Sequence, residues 1–155
     1  MGHVGHMGHM GRASLLMAVA MGVAPGAWAA EFRAATDAAV VLYDAPSAQA
    51  KKLFIVSQGY PLEVVVVVQG WIKVRDASGA LSWVEASKVS SKQRTVMVKT
   101  PMAQIRQSAD ENSPVVFQAQ QNVVLELTET AGNWLRVRHR DGAAGYIRMT
   151  QVWGV

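Results

Sequence analysis

Beyond residue 40 the chain is written in short segments whose apolar and polar residues alternate, separated by glycine-containing turns. "VVLELTE" (123–129) and "NWLRVRHR" (133–140) keep a period of two, and "RDGAAG" (140–145) is a turn signal between strands. Earlier, "WIKVRD" (71–76), the turn "ASGA" (77–80) and "LSWVEA" (81–86) repeat the same scheme. No stretch after the N-terminal region sustains a helical period over three turns. One segment breaks the alternation: "LEVVVVVQGW" (62–71) runs five valines, Val64 to Val68, into Gln-Gly-Trp. Five residues cannot span a bilayer as a helix, so the run reads as a strand with extra apolar positions.

The two halves of this pattern are copies of one unit. At an offset of 63 residues, the separation of Trp71 and Trp134, residues 40–89 align with 103–152 without a gap. Identical pairs include Phe54/Phe117, Leu62/Leu125, Glu63/Glu126, Trp71/Trp134, Arg75/Arg138 and Gly79/Gly142. The valine run falls opposite "LELTETAGNW", so Val65, Val66 and Val67 stand where the second copy has Thr128, Glu129 and Thr130. β-Propensity alone accounts for valine there. The sharper expectation is that Val65, Val66 and Val67 cover a surface shared with the second copy or with a partner, because an uncovered strand of this kind invites aggregation.

The order "VVLYDAPS…F…GYPLEV…GWIKVR…G…WV", matched in the second copy by "AQIRQSAD…F…VVLEL…NWLRVR…DG…GYI", resembles the bacterial SH3-like (SH3b, Src homology 3) domain family. The resemblance covers nearly all of the chain beyond its first thirty residues. It implies an all-β protein of two tandem SH3-like small β-barrels, each five-stranded, used for binding or targeting and not for catalysis. It also implies association with peptidoglycan or with envelope proteins. The chain departs from the family pattern in its first loop and at Ser82, which stands where the family has glycine before the tryptophan.

The N-terminus adds a location. Arg12 precedes the apolar run "ASLLMAVAMGVAPGAWAA", which ends in Ala27-Trp28-Ala29. This reads as a signal peptide over 1–29, cleaved after Ala29, with periplasmic delivery and no stable membrane insertion afterwards. Pro25 and Gly26 interrupt the run, which argues against an anchor. Met1, Met7 and Met10 are all candidate starts. His3, His6 and His9 lie in this leader and are assigned no metal. The expected units are then 30–91 and 94–155, joined by the polar "SSKQR" (90–94).

Composition narrows the chemistry. The chain has 155 residues and a formal charge of +4, mildly basic and weak grounds for nucleic acid. It has no cysteine, which removes disulfides, thiol catalysis and cysteine metal sites. Beyond the leader there is one histidine, His139, placed by period two near a turn and read as locally satisfied. Scattered carboxylates provide no legible acid pair, so a cell-wall hydrolase is disfavoured, and no cofactor is expected.

Binding has a better basis. With Ile72 and Val74 inward, Trp71, Lys73 and Arg75 share the outward face; with Leu135 and Val137 inward, Trp134, Arg136 and Arg138 do the same. A tryptophan beside cations suits stacking on a sugar or peptide, with a carboxylate or phosphate held by the charges. The competing reading has each tryptophan covering its own barrel's first loop, with the cations solvated. Tyr43 sits where a Src-type groove places a tyrosine, but the second copy has Arg106 there. The expected partner is a cell-envelope glycan or peptide. The alternative is a periplasmic interaction or assembly subunit that docks an envelope protein without glycan affinity.

Overall fold

The computed structural model describes residues 1–2 and 29–155. The leader and its histidine tract lie outside the described residues. What is described is all-β: fourteen strands in two seven-stranded antiparallel sheets. The first sheet holds β1 (Phe32–Ala35), β2 (Ala39–Tyr43), β3 (Lys52–Ser57), β4 (Pro61–Val68), β5 (Trp71–Arg75), β6 (Leu81–Glu85) and β7 (Val89–Ser90). The second holds β8 (Thr95–Val98), β9 (Met102–Arg106), β10 (Val115–Gln120), β11 (Val124–Ala131), β12 (Trp134–Arg138), β13 (Ala144–Arg148) and β14 (Val152–Trp153). Each strand of the second begins and ends 63 positions after its counterpart, so the duplication extends to β1 and β8, ahead of the segment where sequence identity shows it.

The strand order is β3-β2-β6-β5-β4-β1-β7, and β10-β9-β13-β12-β11-β8-β14 repeats it. Two short strands, β1 and β7, bring each unit to seven segments where five were expected. Ile72, Val74, Leu135 and Val137 point inward as predicted. Leu42, Leu62, Ile72, Val74 and Val84 are fully buried in the first unit, and Ile105, Leu125, Leu135, Val137 and Ile147 in the second. Burying a side chain of this size contributes roughly 1.5–3 kcal/mol, and without disulfides these two cores supply the main stabilisation.

Both long hairpins carry a bulge at the same place: the register shifts between Val64 and Val66 in β4 and between Leu127 and Glu129 in β11. Beyond the bulge β4 loses its other neighbour, since β1 pairs with it only at Pro61, Leu62 and Glu63. The valines past that point therefore project from the barrel: Val65, Val66 and Val67 are 40%, 45% and 57% exposed. This corrects the expectation that they are covered by the second unit.

The units meet elsewhere. The Trp153 indole N–H donates to the Pro61 carbonyl at 2.8 Å, and the Trp153 ring packs edge-on against Phe32 at 5.1 Å between centroids. The Thr95 hydroxyl donates to the Gly59 carbonyl at 2.5 Å. Gly154 lies in this seam at φ +123°, and a Cβ there would meet the Thr95 carbonyl oxygen at 2.7 Å, so glycine is needed on both counts.

Candidate functional site

In the first unit β5 alternates as predicted: Ile72 and Val74 are buried, while Trp71 and Lys73 are half-buried and Arg75 is exposed on the outward face. Trp71 rests edge-on against Tyr43, with ring centroids 5.4 Å apart and planes at 87°. Such a pair adds about 0.5–1.5 kcal/mol beyond its buried area. Tyr43 is itself only 7% exposed, so it supports Trp71 more than it offers a surface of its own. Trp83 extends the cluster: it is the register partner of both Tyr43 and Lys73, and the Lys73 ammonium lies 5.9 Å from its ring centroid. A three-aromatic platform with one cation results. The half-exposed Trp83 ring on the same face was not singled out from the sequence. Its signal was its place directly across from Lys73 once the register is known.

Arg75 belongs to this row but is engaged by its own sheet. Its register partner on β4 is Glu63, and the two side chains lie 3.8 Å apart. The duplicate makes the same pair more tightly. The Nε and Nη2 of Arg138 donate to one carboxylate oxygen of Glu126 at 3.1 and 2.6 Å. All four residues are identical between the copies, and the shared role is cross-strand pairing. This leaves Lys73 and Arg136 as the predicted cations with no ion-pair partner among the described residues.

The second unit presents a different face on the same backbone. Trp134 is half-buried, and its neighbour across the ladder is Arg148, whose guanidinium carbon sits 4.7 Å over the indole centroid. Arg148 is also ion-paired with Glu111 from the loop between β9 and β10. Arg106, in the place of Tyr43, donates from Nη1 to the Ser113 carbonyl at 2.8 Å and from Nη2 to Gln104 Oε1 at 2.9 Å. A groove of about 570 Å³ runs between these groups and Gln151. Arg148 and Glu111 were not singled out from the sequence. Only the strand register brings Arg148 over Trp134, and only the loop conformation brings Glu111 to Arg148.

His139 lies in the turn just after β12, half-buried and tilted against Phe117. Its Nδ1 is 3.1 Å from an Asp141 carboxylate oxygen. The Asp141 carboxyl is held below its ordinary value, chiefly by the Ala143 backbone N–H and then by His139. That is local turn chemistry. Among the described residues no three side chains are grouped to hold a metal, and no helix is long and apolar enough to cross a membrane.

The family model described as bacterial SH3 domain matches residues 36–91 and again residues 99–154. No curated protein matches the chain. Among solved structures, the chain is similar to NlpC2 from Trichomonas vaginalis at 13% identity and a TM-score of 0.37, covering 81% of this chain and 48% of that one. NlpC1 from the same organism is 13% identical at a TM-score of 0.38, with coverages of 88% and 50%. An NlpC/P60 family protein from Bacillus cereus is 15% identical at a TM-score of 0.38, with coverages of 79% and 56%. The chain thus spans about half the length of each.

Proposed function

Because the chain belongs to the bacterial SH3 domain family through both of its halves, we propose that it is a non-catalytic binding module of the cell envelope. In this reading residues 1–29 direct export to the periplasm, and units 30–91 and 94–155 bind a glycan or peptide of the envelope. The observation that carries the reading is the Trp71 platform. A half-exposed indole is held in one orientation by a buried tyrosine, with Lys73 on the same face and without a carboxylate partner among the described residues. A ring fixed this way loses little freedom on binding, and an adjacent ammonium holds a carboxylate or phosphate of the ligand. Arg75 and Arg138 set the sheet rather than the ligand, since each is paired with a glutamate.

The chain without residues 1–29 is expected to be retained on purified peptidoglycan. Trp71→Ala is expected to weaken retention about tenfold, the loss of one stacking aromatic. Trp134→Ala should weaken it less, because Arg148 already lies over that ring. Absence of retention at any salt concentration overturns the glycan reading.

The second reading, an assembly subunit docking an envelope protein, is favoured by Val65, Val66 and Val67. These valines stay exposed on β4 where the sibling strand β11 is polar. Under that reading association with the partner is lost on Val65→Thr with Val67→Thr, and peptidoglycan retention is absent.

A further inference from the structure

We infer that the groove beside Trp134 is a site for the free carboxylate of a peptide, and that Glu111 occupies it when no ligand is bound. The inference deepens the binding-module reading and rests on it. Two cations, Arg106 and Arg148, line the groove with the half-exposed Trp134, Arg136 follows two residues on along β12, and among the described residues Glu111 is the one carboxylate ion-paired with any of the three. At the corresponding positions the first unit has Tyr43, Lys73, Glu85 and Ala48, so its platform keeps one cation and sets a carboxylate, Glu85, opposite Trp71 where the second unit has Arg148. The two units share a backbone and differ in the charge of this face.

Glu111 is delivered by a braced loop. Arg106 holds the Ser113 carbonyl. The Ser113 hydroxyl hydrogen-bonds to the Asp110 and Ser108 carbonyls at 2.8 and 3.1 Å. The Asn112 N–H donates to the Asp110 carboxylate at 2.8 Å. The loop thereby sets the Glu111 side chain on Arg148, although that side chain remains 66% exposed. An ion pair between exposed side chains is weak, so a second carboxylate competes with it readily. Arg148 stays attractive to that carboxylate because a guanidinium is a fork of N–H donors, and its pair with Glu111 is made through Nη2. Gln104 and Gln151 line the same groove and offer amides to a peptide backbone, which selects a peptide over a simple anion.

The test titrates the isotope-labelled full chain with N-acetyl-D-alanyl-D-alanine, its L,L enantiomer and the C-terminal amide of each, following the Trp134 indole N–H. Binding of the acids is expected to be about tenfold tighter than of the amides, as for a charge-assisted pair. Glu111→Gln should tighten it about threefold by removing the competitor, and Arg148→Gln should weaken it about tenfold. Preference for the D,D acid assigns the site to cell-wall peptides, and preference for the L,L acid to protein C-termini; either result supports the site. Amides binding as well as acids, weaker binding by Glu111→Gln, or no response at Trp134 in either the parent or Glu111→Gln overturns it. Thermal melts of both variants, matching the parent, exclude misfolding as the cause. Trp71→Ala separates the two levels of inference. If it lowers peptidoglycan retention while the acids fail to bind at Trp134, only the carboxylate site falls. If the acids bind but retention is absent, the glycan reading falls alone.

Discussion

Trp153, in the last strand of the second unit, donates its indole N–H to the carbonyl of Pro61 in the first, 92 residues away, at 2.8 Å. The same indole packs edge-on against Phe32, so one side chain ties β14 to both β1 and β4 of the other unit. Its counterpart in the first copy is Ser90, so this tie is a point at which the two copies differ.

Trp153→Phe should keep the packing against Phe32 and lose the hydrogen bond, costing about 1 kcal/mol. Trp153→Ala should cost more, about 2–3 kcal/mol, because a large aromatic is truncated at a half-buried seam. Thermal unfolding measures both. Proteolysis in the 91–94 connection should accelerate in the alanine variant.

Ser82 and Gly145 are counterparts, and each is buried. A Cβ on Gly145 would lie 2.5 Å from Ile105 Cγ2 and 2.6 Å from the Arg106 carbonyl oxygen, so Gly145→Ser should destabilise by about 1–3 kcal/mol through overpacking. In the first unit the serine is tolerated, but its hydroxyl is buried without a hydrogen-bond partner. Ser82→Ala should therefore raise stability by about 1 kcal/mol. Denaturant midpoints of the two variants should move in opposite directions.

Tyr43 and Trp71 should show coupling. A double-mutant cycle of Tyr43→Leu and Trp71→Leu is expected to return about 0.5–1.5 kcal/mol of interaction energy in stability. If Tyr43 acts on ligand through Trp71, Tyr43→Leu lowers peptidoglycan retention in the parent and changes nothing further in Trp71→Leu.

The Lys88 ammonium donates to the Asp37 carboxylate at 2.7 Å, holding that carboxyl below its ordinary 3.8 and lifting Lys88 above 10.5. Asp37 is depressed, so its contribution is present above pH 3.8 and is lost as pH falls through the lower folded-state value. Lys88 is raised, so its share is complete below pH 10.5 and is lost as pH rises through the folded-state value. Asp37→Asn should melt below the parent at neutral pH, with the gap closing as the solution is acidified below pH 3.8. The second unit has Thr100 and Gln151 at these positions, and Thr100→Val should show no such pH dependence.

Val65→Thr with Val67→Thr should leave the melting temperature nearly unchanged, within about 0.5 kcal/mol, because both side chains are exposed and threonine suits a strand as well as valine. Sedimentation should show any self-association of the parent reduced in this variant.

The candidate site was half legible. Trp71, Lys73 and Arg75 share a face because alternation is a property of a single strand, and Trp134, Arg136 and Arg138 follow by duplication. The neutralisation of Arg75 by Glu63 needed the pairing of β4 with β5. Arg148 over Trp134 needed that of β12 with β13. Glu111 could not be read at all, since it arrives from a loop whose shape is set by its own hydrogen bonds. Tyr43 was legible as a position in the groove but not as a residue buried under Trp71.

The sequence by itself determined that there are two units, that they are built of strands, and which residues point inward. Each of these follows from local period or from self-similarity, and neither requires knowing what lies beside a strand. The tertiary structure decided which strand edge stays open and where the two units touch. Both depend on neighbours distant in the chain: β1 stops opposite Glu63 and leaves the valines of β4 bare, while Trp153 reaches Pro61 and carries the contact to the opposite end of that strand.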